Sequence, residues 1–429
     1  MKSKNLMWVL LGLLVLFTAV SCKSKPPAQE EAPPPVAAPV ATEDNSPDQA
    51  SLSALNAAAA RASEARKIVM DFGGPFFFPD EWQFAESLYT QAEQQKNTST
   101  RQSVQESTAR YERAASAFEA MIEKTYAAAY QYAISELTYI RNAAISVGAA
   151  DLIPDYLLEV DNTVLDADRK YQAKDYYGAK DAALKAYSMY DAQYTAGIAY
   201  KSMEEAVAAG AEYLIPDLLD SADNVGLNAI DQYLAGDYDT AKSSAEKAGL
   251  MYATLKTGID AYRVREEITF RGLEVYDPQN FGLADDNMWA AADDYMAGVI
   301  GPAKDKTEEA LLRYNLALKT GWESYAAEMG ALASAERQKA LDVRANVAVR
   351  QEFNTAQAIY VRANAAFQAK DFDQASALYK ECQPMFTDTA RIAVERRLAA
   401  EDALERAIIK IEESDETARS AERILEGGM

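Results

Sequence analysis

The sequence predicts an all-α fold, an elongated solenoid of long antiparallel helical hairpins, on three observations. Gly73, Gly148, Gly210 and Gly272 stand at one fixed spacing before Pro79, Pro154, Pro216 and Pro278. Counted from each proline, apolar residues recur at offsets that share one helical face. No stretch alternates apolar and polar residues with the period of a strand.

The chain opens with an export signal. Lys2 and Lys4 precede an apolar run over residues 6–17 that is too short to cross a bilayer comfortably. Ala19, Val20, Ser21 and Cys22 close it and resemble a lipobox in relaxed form. That resemblance implies a signal peptide over 1–21 and acylation of Cys22, so that the chain meets the membrane through an N-terminal lipid. Each buried methylene contributes about 0.8 kcal/mol, and several acyl chains together make the anchor stable. Prolines 26, 27, 33, 34, 35, 39 and 47, set among Ala, Glu, Ser and Gln, make residues 22–50 an extended tether. In such lipoproteins an aspartate after the cysteine is linked to inner-membrane retention, and here Lys23 follows. The expected location is the bacterial cell envelope, with the outer membrane favoured.

Composition narrows the chemistry. A hydrophobic share of 49% allows a substantial core, and a net charge of −23 repels phosphate backbones, so nucleic acid is not an expected partner. Histidine is absent, which removes the usual general base at neutral pH and the commonest transition-metal ligand. Acid pairs such as Asp285 with Asp286 point about 100° apart on a helix and form no ready-made metal or glycosidase site. No enzyme activity, metal or cofactor is expected. With Cys22 acylated, Cys382 is the remaining thiol, read as a small apolar helix residue or a reactive cysteine.

Residues 51–392 read as a five-unit array, with units near 73–147, 148–209, 210–271, 272–343 and 344–392. Glycine suits the left-handed end of one helix and proline the first turn of the next. Asp80, Asp155 and Asp217 follow their prolines, where the helix dipole favours negative charge. Three positions after the prolines stand Trp82, Leu157, Leu219 and Phe281; six after, Ala85, Val160, Ala222 and Ala284; thirteen after, Ala92, Ala167, Ala229 and Ala291. Further along come Tyr171, Tyr233 and Tyr295, then Tyr190, Tyr252 and Tyr314. The middle prolines lie 62 residues apart, and the first unit is longer through the polar stretch near Asn97. With Arg350 in the proline's place, a fifth unit gives Phe353, Ala356, Ala363, Phe367 and Phe386.

That fifth unit carries a family resemblance. Ala363, Phe367, Asp371, Phe372, Ala375, Tyr379 and Cys382 resemble the core of a tetratricopeptide repeat (TPR), with small residues where two helices touch and an aromatic on either side of the turn. Residues 171–179 and 233–241 repeat it. The repeats of that family are shorter than these, so the second helix is expected to reach about thirty residues, roughly 45 Å, paired with a first helix near twenty. Residues 393–429 read as a C-terminal capping helix giving the stack a polar end, or as a coiled-coil contact.

Two sets of residues are candidate partner-binding sites. Glu86, Asp161, Asp223 and Asp285 share one register position and form either an acidic file along the array or the solvated edge of each first helix. Phe76, Phe77 and Phe78, with Trp322, stand outside the repeat pattern and are candidates for an exposed apolar patch. The TPR resemblance implies a membrane-anchored envelope lipoprotein that acts as a protein–protein interaction scaffold and binds another envelope protein. Two alternatives stay open: an accessory lipoprotein of a solute transporter, binding a periplasmic solute-binding protein, and a peptidoglycan-associated envelope protein.

Overall fold

The computed structural model describes residues 45–427, so the signal peptide, Cys22 and most of the tether lie outside the described residues. Within them the fold is all-α, without a strand. The chain divides into two compact units after Ile122, within one long helix.

The first unit packs α1 (Gln49–Asp71), the single turn α2 (Gly74–Phe77), α3 (Pro79–Gln94) and the start of α4 (Arg101–Ser146). Asp48 caps α1 by accepting from the Ser51 backbone N–H at 2.7 Å. The core runs through Leu55, Ala62, Ala92, Val104 and Tyr111 and continues through Val69, Ala85 and Phe118. The surplus residues of this repeat go mainly into helix, since α4 has 46 residues where its later counterparts begin at 33.

In the second unit each hairpin pairs a short helix with a long one. The pairs are α6 (Pro154–Gln172) with α7 (Tyr176–Ala208), α9 (Pro216–Leu234) with α10 (Tyr238–Arg271), α11 (Pro278–Met296) with α12 (Ile300–Asp342), and α14 (Arg350–Gln368) with α15 (Phe372–Glu426). Single turns α5 (Ala149–Leu152), α8 (Ala211–Leu214) and α13 (Ala345–Ala348) lead into α6, α9 and α14, and a 3₁₀ turn over Glu274–Tyr276 leads into α11. All four short helices have 19 residues. Long helices pack on one another in chain order, α7 on α10, α10 on α12 and α12 on α15.

The two connections have recurring backbone causes. Where a long helix ends, Gly73, Gly148, Gly210 and Gly272 adopt left-handed φ of 67° to 99°, and Arg344 takes the same conformation at 58° in the unit without glycine. After the single turn comes a residue outside the helical region, Phe78, Ile153, Ile215, Asp277 or Val349, with φ of −136° to −145° and ψ of 50° to 65°. In four of the five a proline follows, which disfavours the α region for the residue before it. Between short and long helix, Lys174, Gly236, Gly298 and Lys370 are left-handed in turn. Asp175, Asp237 and Asp371 then cap the long helices through the backbone N–H of Gly178, Thr240 and Gln374. Val299 holds that place in the fourth hairpin and offers no cap.

Small side chains set the packing distance. On α7 the buried residues include Ala179, Ala183, Ala186, Ala192, Ala199 and Ala206, and Gly197 meets Val147 so closely that an added Cβ would sit 2.4 Å from Cγ2. Helices with such faces approach to the short end of the 8–10 Å range. Tyr190, Tyr252 and Tyr314 fill the space between short and long helices and are buried at 4% exposure or less.

The C-terminal segment differs from the expected separate cap. α15 is one continuous helix of 55 residues, and from Glu395 onward its described side chains are exposed apart from half-buried Ser420. Helix propensity and i,i+4 pairs such as Arg391 with Glu395 carry it past the array, so no break occurs at 393.

Candidate functional site

The recurring acidic position is occupied from within. In the first unit Glu86 accepts from Arg66 of α1 at 2.6 and 2.7 Å. In the second, Asp161 accepts from Arg141 of α4 through two bonds of 2.7 Å and from the Tyr190 hydroxyl of α7. Asp285 repeats this with Arg265 of α10, at 2.8 Å, and Tyr314 of α12. Asp223 keeps the tyrosine, Tyr252 at 2.6 Å, while the fifth unit keeps the arginine, with Arg337 donating to Gln357 at 2.6 Å. At Asp161 and Asp285 one carboxylate thus joins the preceding long helix, its own short helix and the following long helix.

The electrostatics follow that geometry. Arg141, together with the Tyr190 hydroxyl, holds the Asp161 carboxyl below the usual carboxylate range despite its partial burial. Burial, then the bond to the carboxylate, pushes the phenols of Tyr190, Tyr252 and Tyr314 up. The carboxylates of Glu86, Asp161 and Asp285 are only about 30% exposed or less, each beside a guanidinium. A file of free negative charge is therefore not what they present; they are inter-helix ties.

The aromatic candidates separate as well. Phe76 is 55% exposed and meets Phe77 edge to face, while Phe78 and Trp82 pack on the first unit's core. Trp322 lies half-buried against the core around α10, α11 and α12, with the Arg271 guanidinium 5.0 Å from its ring centroid. Trp322 is thus a packing residue. Cys382 is buried, and that burial pushes its thiol up to about 11, away from thiolate reactivity.

A different register position faces solvent. Eleven residues after the helix-starting proline or Arg350 stand Leu165, Leu227, Trp289 and Val361, with exposures of 59%, 58%, 75% and 55%. This position falls two residues before the buried Ala167, Ala229, Ala291 and Ala363, roughly 200° around the helix. Leu158, Leu234 and Met296 extend the file along their helices and are exposed too. Its middle is acidic, since α9 and α11 carry Asp217, Asp220, Asp231, Asp286 and Asp293 and contain no lysine or arginine, whereas α14 carries Arg350 and Arg362 against Glu352. This offset lies apart from the buried offsets of three, six and thirteen that the repeat announces. Its signal was four apolar residues at a single offset on the side away from the core.

Other features of the described residues are modest. No group of three or more His, Cys, Asp or Glu side chains is placed to hold a metal ion, and no helix is long and apolar enough to cross a membrane. A shallow, open concavity lies along α3 beside Trp82, Gln83, Glu86 and Thr90.

No protein-family model matches the chain. It is similar to Treponemal membrane protein A of Treponema pallidum (strain Nichols), 24% identical over 214 residues, which cover 50% of this chain and 62% of that protein. It is likewise similar to Treponemal membrane protein A of Treponema phagedenis, 22% identical over 187 residues, covering 44% of this chain and 54% of that one. The chain matches less than two thirds of the length of either relative.

Proposed function

We propose that the chain is a non-enzymatic, membrane-associated envelope protein whose short helices dock another protein. The observation that carries this reading is the exposed apolar file at Leu165, Leu227, Trp289 and Val361, repeated on four successive hairpins and flanked by aspartates on α9 and α11. Monomeric surfaces scatter exposed apolar residues singly, whereas a file in register offers a continuous apolar strip. A fitting partner presents an apolar ridge with Lys or Arg where it crosses α9 and α11, because their aspartates favour positive charge. The TPR resemblance agrees, since first helices line the binding face in that family. The names of the two treponemal relatives support the membrane part, and a lipid on Cys22 supplies the means, with the outer membrane as the favoured site.

Crosslinking followed by mass spectrometry on native membranes tests the scaffold. The expected result is one reproducible protein crosslinked to the short helices, lost when Leu165, Leu227, Trp289 and Val361 are all changed to Ser with helicity unchanged. Recovery of muropeptides or a small solute alone, or of the same protein by the variant, refutes it. For the anchor, Cys22→Ala is expected to move the chain from the membrane to the soluble fraction. Retention in the membrane refutes lipidation as the tie.

A further inference from the structure

The exposed end of α15 has a pattern of its own. Between residues 400 and 426 no core covers the helix, yet it carries Leu404, Ile408, Ile411, Ile424 and Leu425, all at least 48% exposed. Leu404, Ile411, Ala418 and Leu425 recur every seven residues. Ala400, Ala407, Ser414 and Ala421 interleave with them at the alternating three- and four-residue spacing of a heptad seam. The seam persists for almost four heptads, long enough to mark a coiled coil rather than chance. Ile408 and Ile424 flank it and widen the stripe, while Ile409 falls outside.

We propose that residues 400–425 of α15 form a parallel, in-register, two-stranded coiled coil with a second copy of this chain. Charge decides both the occupant and its direction. On one flank of the seam stand Arg396 and Lys410, and on the other Glu401, Asp415 and Glu422. In a parallel pair of identical helices the first flank of one copy meets the second flank of the other five residues on. That sets Arg396 against the second copy's Glu401 and Lys410 against its Asp415. An antiparallel pair would set acid against acid and base against base. In the single chain Arg396 donates to the Ala348 carbonyl and Arg397 pairs with Glu401 along the helix, so Lys410 with the second copy's Asp415 is the pair that decides direction without breaking a contact within the chain. Alanines at the interleaving positions let the two helices approach closely.

The test is sedimentation velocity of the full chain in detergent with Cys22→Ser, beside the same chain carrying Leu404→Glu and Ile411→Glu. A dimer is expected for the first, and for the second a monomer of unchanged helicity, its association weakened by roughly a hundredfold or more through charge placed in an apolar seam. Because those side chains are exposed in the single chain, the array folds without them. Ala400→Cys is expected to oxidise to a disulfide-linked dimer, since only the parallel arrangement brings the two copies of that residue together. Glu401→Lys with Asp415→Lys is expected to weaken the dimer while leaving the seam apolar. A monomer without substitutions, or a dimer indifferent to Leu404→Glu and Ile411→Glu, overturns the proposal. A dimer in which Ala400→Cys fails to crosslink, or which charge reversal leaves unchanged, overturns the parallel register.

Discussion

Replacing Asp161 by Ala separates an inter-helix tie from a solvated helix edge. In the folded chain its carboxylate takes two hydrogen bonds from Arg141 and one from Tyr190, whose side chain is fully buried. Truncation leaves the phenol hydroxyl without its acceptor, which costs about 1–3 kcal/mol. Loss of the arginine pair adds at most about 1 kcal/mol, because both partners are partly solvated. The expected total is about 2–3 kcal/mol, read from urea unfolding followed by helical circular dichroism. Asp161→Asn keeps an acceptor for Tyr190 and is expected to cost about 1 kcal/mol. A double-mutant cycle with Tyr190→Phe is expected to show coupling of that same size. The sign with pH follows from the depressed carboxyl. A group whose folded value lies below its unfolded one, near 3.9 for aspartate, stabilises fully above the unfolded value and loses that contribution as pH falls through the folded value. The difference between the native chain and Asp161→Asn is therefore expected to hold at neutral pH and to shrink below about pH 4. A cost for Asp161→Ala within about 0.5 kcal/mol, the range of ordinary surface changes, refutes the tie.

Three further outcomes test the hinges and the core. Arg344→Gly is expected to stabilise the fifth hairpin by about 1 kcal/mol, because the left-handed backbone at this position strains a residue with a Cβ; an unchanged urea midpoint counts against the assigned backbone. Val299→Asp is expected to add about 1 kcal/mol by supplying the cap that Asp175, Asp237 and Asp371 already give, and a loss of stability would show that the fourth turn differs from the others. Cys382 is expected to resist a thiol reagent such as dithionitrobenzoate in the folded chain and to react once unfolded, so rapid labelling of native protein contradicts its burial.

Much of the fold was legible because one-dimensional signals act locally. Glycine frees the left-handed backbone at 73, 148, 210 and 272, and proline restrains the residue before it, so their spacing announced the connections. Offsets of three, six and thirteen marked the face that became buried, as Ala85, Ala167, Val160 and Ala284 confirm at no measurable exposure. The left-handed Arg344, Lys174 and Lys370 gave no such signal, since neither lysine nor arginine prefers that conformation.

The candidate site was less legible. An acidic residue at a fixed offset looks the same in sequence whether it faces water or an arginine twenty residues earlier. Its meaning depends on how the preceding helix returns past it, and only the packed structure brings Arg141 and Tyr190 onto Asp161. Trp322 stood out by falling off the repeat, yet a neighbour far away in sequence, Arg271, covers it. The sequence by itself determined the helical class, the period and the places where the backbone must turn, because those follow from φ/ψ preferences and face periodicity within a few residues. The tertiary structure alone decided which recurring polar groups bind one another, that Leu165, Leu227, Trp289 and Val361 stay in solvent, and that α15 runs on past the array. Those are relations between helices distant in the chain, set by which faces are covered once the hairpins pack.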